Sequence, residues 1–318
     1  MRSDFRGCWL ALTAERYKKI SFDDHGVERL LVRHFLDSFS SPPNEIVLDL
    51  DATDDPVHGM QEGRFFHGYY RHYCYLPLYV FCGGFLLGAT LYTAEVGPGN
   101  RAVEDLERII SQIRARWPDV RLVVRGDSGF CNDEIMTWCE EGEVDFIFGL
   151  AQNARLRAEI EDEMAAAKAE HERTGEKARV FKDFRYPTRT SWSRERRVVG
   201  KAEYIIDKEN PRFVVTSLPI DDWSARALYE DLYCARGEME NRIKEQQLGL
   251  FADRTSCHAL RANQLRLWLS SIAYLIVHDL RRLALAGTEL AHAQVGTIRC
   301  RLLKIGAIVT VSVRRIYV

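Results

Sequence analysis

The sequence predicts a mixed α/β fold, and two observations predict it. Residues 45–53, EIVLDLDAT, alternate: Ile46, Leu48 and Leu50 share one side, and Val47, Asp49 and Asp51 share the other, the period of a strand with one apolar face. Strand and helix patterns then run β-β-β-α-β-α-β to about residue 151. Locally paired strands followed by strands alternating with helices make a mixed sheet.

Residues 27–38 (VERLLVRHFLDS) carry apolar side chains at helical spacing, and Pro42-Pro43 closes that segment. Residues 77–83 and 85–95, divided by Gly83-Gly84, read as an antiparallel meander. A helix over about 100–116 places Val103, Leu106, Ile109, Ile110 and Ile113 on one face and stops at Pro118. RLVVRGD (121–127) is a short buried strand ending in Asp127; a helix near 131–142 and a strand over 144–151 follow.

After residue 153 the composition changes. Residues 155–173 form an Ala/Glu-rich helical pattern, and ARVFKDFRY, RRVVGKAEYIID and RFVVTSL, within 178–218, read as short strands with a turn at Glu209-Asn210-Pro211. Helical patterning returns at 222–246 and 259–285, and the end suggests a short basic helix and a strand. The predicted division is a helical N-terminal remnant (1–44), a first part of the core (45–153), a β-rich insertion (154–221) and a second part of the core with basic C-terminal helices (222–318).

With 318 residues, 46% hydrophobic and 28% charged, the chain can bury a sizeable core and is not of disordered composition. Net charge is -2, so a surface for a polyanion has to come from uneven charge. From Cys234 onward Lys and Arg outnumber Asp and Glu, which suits a phosphate backbone as well as it suits ordinary solvated helix faces. None of the eight Cys forms a CxxC pair, as expected of free thiols in a reducing compartment. No run approaches the ~18 apolar residues that span a membrane, and the start lacks a secretory signal. The expected location is cytoplasmic.

Three acids carry the chemistry. Asp51 ends the first strand in Asp51-Ala52-Thr53, Asp127 follows the fourth in RGDSGF, and Glu240 lies on a helix in YCARGEMENRIKE. Strand ends and a nearby helix can converge carboxylates at a sheet edge, the ligand set that Mg²⁺ prefers. Asp49 shares a face with Asp51, so alternation alone does not separate them. Asp54 and Asp55 read as turn residues before Pro56; His58 suits an orienting or a structural role. Trp192 and Trp223 suit core packing better than base stacking.

These motifs resemble the bacterial insertion-sequence transposases of the DDE class, in the group with a β-strand insertion between the second Asp and the Glu. The first acid there stands in D-x-T, matched by Asp51-Ala52-Thr53, which favours Asp51 over Asp49. The third stands in Y-x2-R-x3-E-x6-K. Tyr233, Arg236 and Glu240 match in register, while Gln247 replaces the final Lys and Lys244 lies one turn earlier. LDLDATDDPVHGMQEG, RGDSGF, ENRIKE and SCHALRANQLRLWLSSIAY extend the likeness over residues 25–317.

The resemblance implies a ribonuclease-H-like fold. It implies two Mg²⁺ ions, with Mn²⁺ as substitute, on Asp51, Asp127 and Glu240, and DNA contacts from Tyr233, Arg236 and Lys244. It further implies endonuclease chemistry at transposon ends, strand transfer by the freed 3′-hydroxyl, and a homodimer on DNA. Relatives usually carry a helical DNA-binding region before the first catalytic strand, and only 44 residues precede Glu45 here. Two outcomes therefore stay open: an active transposase, or a truncated, non-catalytic copy that binds DNA or intact transposase as an inhibitor or persists as a remnant.

Overall fold

A computed structural model describes residues 20–304, 306, 310–311 and 316–317. Helix α1 (Asp24–Asp37) leads to β1 (Glu45–Ala52). The short β2 (Asp55–Pro56) and β3 (Phe65–His67) precede the long β4 (His72–Cys82) and β5 (Phe85–Thr93). Then α2 (Ala102–Arg116), β6 (Arg121–Gly126), α3 (Asp133–Glu141) and β7 (Asp145–Leu150) alternate. Helices α4 (Ala154–Glu159) and α5 (Glu161–Thr174) are followed by β8 (Ala178–Tyr186), β9 (Arg196–Ile205), β10 (Lys208–Glu209) and β11 (Arg212–Thr216).

Next, α6 (Ala225–Ala227) runs on through wide turns at Leu228–Tyr233 and a tight turn at Cys234–Arg236 into α7 (Gly237–Lys244). Helices α8 (Leu260–Asp279) and α9 (Val295–Ile298) and the strands β12 (Thr310–Val311) and β13 (Ile316–Tyr317) complete the order. Of the Lys and Arg residues that follow Cys234, Arg314 and Arg315 lie outside the described residues.

Strand β1 is central. It pairs antiparallel with β4 and parallel with β6; β5 lies beyond β4 and β7 beyond β6. The order β5-β4-β1-β6-β7, with β4 reversed, is a ribonuclease-H-like sheet. Alternation in β1 explains its two faces. Ile46, Leu48 and Leu50 enter a core with Val32 and Phe35 of α1, Ile109 and Ile113 of α2, and Ile135 and Met136 of α3. On the opposite side, Tyr75, Tyr79 and Phe81 of β4 pack on Met239 and Ile243 of α7 and Leu267 and Tyr274 of α8. Further along that side, Val123 and Ile147 meet Leu228 and Leu232. Helices on both faces account for the near-continuous apolar runs of β6 and β7.

The insertion is continuous with this sheet. Strand β11 pairs antiparallel with β7, β9 with β11 and β8 with β9. Its buried charges are compensated: Lys201 donates to Glu203 at 2.8 Å, and Arg197 grips Asp183 and the carbonyl of Leu218. Trp192 packs edge-on against Tyr186, and Trp223 borders the apolar cluster around Leu228, so both serve packing.

Two local readings need correction. The second strand starts at His72 rather than 77, because the aromatic residues before Pro77 pair with β2 and β3 in an arm. Asp55 is a strand residue, opposite Tyr75, and fully buried. Its neighbour Asp54 pairs with the His72 Nε2 at 2.8 Å.

Leu48 is completely buried at the centre of the sheet. Leu48→Ala is expected to cost about 2–5 kcal/mol through lost burial and an unfilled cavity. A denaturant midpoint that falls with an unchanged slope is the expected readout.

Candidate active site

The strand register brings two of the acids together. Leu50 and Gly126 are the last paired residues of the parallel strands β1 and β6. Asp51 and Asp127 each follow by one residue, at strand ends ~4.8 Å apart in a sheet. Asp127 caps the turn Ser128–Phe130, accepting from the Gly129 N–H at 2.8 Å. Asp51 accepts from the Ala52 N–H at 3.0 Å. Strand alternation puts it on the sheet face covered by α7.

Helix α7 brings the third acid. Met239 and Ile243 are buried against β4, which anchors the helix and leaves Glu240 exposed at the sheet edge. Arg236 stands among the acids. Its guanidinium lies 3.8 Å from the Asp51 Oδ2 and 3.1 Å from the Glu240 Oε1. The charges of Asp51, Asp127 and Glu240 all act on it.

Tyr233 completes the group. Burial raises its pKa, and Asp127 is among the charges it senses. A Cβ on Gly149 would stand 2.5 Å from the Tyr233 hydroxyl, so the bare backbone of β7 makes room for that ring. A glycine inside VDFIFGLA is the sequence sign of such a close approach, and the sequence reading passed over it.

Asp49 and Asp51 now separate. Asp49 is buried and held by Arg125 of β6, its register partner, through two hydrogen bonds, the Nη2–Oδ2 one at 2.8 Å. Arg125 also donates to the Leu232 carbonyl. The Asp49 carboxylate is thus committed to joining β1, β6 and the segment before α7, while Asp51 stands at the open edge. Burial pushes the Asp51 pKa from 3.8 to about 7; the Arg236 cation opposes this, and the Asp127 and Glu240 charges add to it.

Lys244 is exposed one turn beyond Glu240. Gln247, in the motif's Lys position, reaches to 3.5 Å from the Thr53 Oγ1. The final position of one motif and the Thr of the other therefore meet. Beneath them Asp55 has no well-formed hydrogen bond. Burial, reinforced by the Asp253 charge and partly offset by the Gln247 amide, raises its pKa to about 8.

The donor chemistry fits a hard divalent cation: carboxylate oxygens only, with mutual repulsion that a cation would relieve. Arg236 supplies positive charge at that place. Among the described residues, no three His, Cys, Asp or Glu side chains stand close enough to share one ion in this arrangement.

The sheet order defines a ribonuclease-H-like fold with Asp51 and Asp127 at the ends of its adjacent parallel strands. The chain belongs to the family described as "Transposase DDE domain group 1", which matches residues 9–318. No curated protein matches. Among solved structures, a piggyBac transposase synaptic complex with hairpin DNA is similar at TM-score 0.46 and 10% identity, over 82% of this chain and 52% of that one. An endonuclease V from Ciona intestinalis, in complex with an inosine-containing DNA, is similar at TM-score 0.29 and 10% identity, over 80% of this chain and 100% of that one. The chain spans about half the length of the piggyBac protein.

Two outcomes test this geometry. Arg125→Met leaves the Asp49 charge buried and unpaired, an expected cost of about 3–5 kcal/mol; Asp49→Asn with Arg125→Met should recover much of it, as a double-mutant cycle in urea would show. For Asp51 the sign follows from its raised pKa. Between pH 3.8 and about 7 the folded chain keeps a proton that the unfolded chain has released, so stability falls as pH rises through that window and stays lowered above it. In EDTA, Asp51→Asn should raise the melting temperature at pH 8, by about 1–2 °C per kcal/mol of relieved penalty for a chain of this size. At pH 4 it should change little.

Proposed function

We propose that this chain is the catalytic domain of a DNA transposase that cuts phosphodiesters at transposon ends and joins the freed 3′-hydroxyl to target DNA. The observation that supports this most is the approach of Asp51 and Glu240 to one guanidinium that also senses the Asp127 charge, inside a chain of the DDE transposase family. The three carboxylates would hold Mg²⁺, as two ions, or Mn²⁺ in its place. When bound, such ions lower the pKa of the attacking water or hydroxyl and offset charge on the leaving oxygen.

The chain's own groups prepare that state. Asp51, whose pKa burial pushes to about 7, would have to be deprotonated to hold a cation, so binding would be favoured as pH rises through neutrality. Arg236, whose planar fork matches phosphate oxygens, would contact a phosphate of the DNA. The Tyr233 hydroxyl, held over Gly149 beside Asp127, is placed to orient a phosphate oxygen. Lys244 adds a point charge one turn along. On DNA the chain would act as a homodimer, one active site per end. Among the described residues, no helix is long and apolar enough to cross a membrane; the proposed place of action is the bacterial cytoplasm, at the nucleoid.

Purified protein with Mg²⁺ or Mn²⁺ is expected to cut DNA bearing the element's own ends. Asp127→Asn should lower the rate by on the order of a hundredfold or more, since metal-borne charge stabilisation accounts for several kcal/mol of the barrier. Equal cutting by Asp127→Asn would remove that residue from the site.

A further inference from the structure

The arm between β1 and β4 is unlike the rest of the surface. Strand β4 leaves the core at Tyr75 and continues outward to His72, where β3 pairs with it. Phe66 lies opposite Tyr73, and His67 opposite His72. The Arg71 N–H closes the tip onto the His67 carbonyl at 2.8 Å. The arm is therefore a hydrogen-bonded extension of strand β4.

Its side chains are largely solvated rings. Tyr69 is 83% exposed, Phe66 51%, and Phe65 and Tyr73 44% each. Residues 58–73 contain no Leu, Ile or Val, so the arm lacks the aliphatic filling of a packed protein interface. Instead the rings alternate with His58, Arg64, His67, Arg71 and His72. Arg64 lies 4.6 Å over the Tyr73 ring. The one acid in this stretch, Glu62, is engaged by the Leu260 N–H at the start of α8.

Position links the arm to the candidate site. Tyr70, which supports Tyr69 edge-on at 5.1 Å, senses the charges of Asp51 and Asp54. By alternation along β4, Tyr73 shares the sheet face of Tyr79, the register partner of Asp51. Six residues of strand separate the two, or ~20 Å at ~3.3 Å per residue.

We infer that this arm is a stacking platform for unpaired bases of the DNA strand whose phosphodiester enters the carboxylate site. Exposed rings interleaved with cations bind single strands because every base offers a π-face and every linkage a phosphate. The inference deepens the transposase reading and rests on it. It names the form of the substrate: a strand opened within about 20 Å of the cut, the span given by the strand rise.

The test uses the full chain in EDTA, with fluorescein-labelled (dT)20 and a 20-base-pair duplex as probes at one salt concentration. Alanine at a stacking ring lowers single-strand affinity roughly five- to hundredfold. Phe66→Ala with Tyr69→Ala is expected to weaken (dT)20 binding by at least tenfold and duplex binding far less. Tyr69→Trp should retain single-strand binding. Because both rings are solvated, the melting temperature should stay within a few degrees.

Equal loss on both probes, or no loss on either, would overturn the platform. So would a dimer-to-monomer shift in light scattering with (dT)20 affinity unchanged, since that would make the arm a protein interface. Metal-dependent cutting by the wild type, compared with Asp127→Asn, is scored separately. Cutting with normal binding by the arm variants sinks the platform alone. Ring-dependent (dT)20 binding without cutting sinks the transposase reading alone.

Discussion

The grip of Arg125 on Asp49 ties together the parts on which the site depends. It joins β1 to β6 at their register pair and, through the Leu232 carbonyl, ties both strands to the segment that leads into α7. A one-residue slip in that pairing would turn every side chain of β1 to the opposite face, taking Asp51 from the α7 side into the core of Leu48 and Leu50. A buried ion pair of this kind is weak evidence of stability in itself, because desolvation offsets its attraction. Its value here is geometric.

Two residues beyond that pair, the physical situation reverses. Asp51 has no bidentate partner, and burial with two neighbouring acids drives its pKa to about 7. Arg236 compensates only in part, from 3.8 Å. Such groups cost stability in the free protein, and perturbed carboxyls cluster where a ligand is to be bound. Identical side chains on one strand face thus divide into a structural ion pair and a frustrated edge group. Neighbouring cations, not residue type, make the division.

The helix that carries Glu240 shows the same economy. Met239 and Ile243 dock it on the tyrosines of β4, Arg236 reaches back to the acids, and Gln247 touches Thr53. Anchoring by flanking apolar residues lets an exposed acid be placed without its own packing. The sheet continues through β11 and β9 beyond β7, and between Asp127 and Glu240 the chain passes from α3 on one face of the sheet to α7 on the other.

The sequence by itself determined the order of the main strands and helices, because period-2 spacing in β1, period-3.6 spacing in α2 and the short apolar run of β6 are local and strong. It also determined the positions of Asp51, Asp127 and Glu240 as candidates, through D-x-T, RGDSGF and the Tyr233–Glu240 spacing. Tertiary structure decided what local pattern cannot carry. Asp49 was separated from Asp51 by a cation on another strand. Gly149 acquired meaning only from a tyrosine 84 positions later in the chain. Asp55 reads as a turn residue beside Pro56, yet it is buried, because the arm folds back and pairs β2 with Tyr75 and Cys74. Contacts between residues far apart in sequence depend on register and packing, and neither is written in the spacing of any single segment.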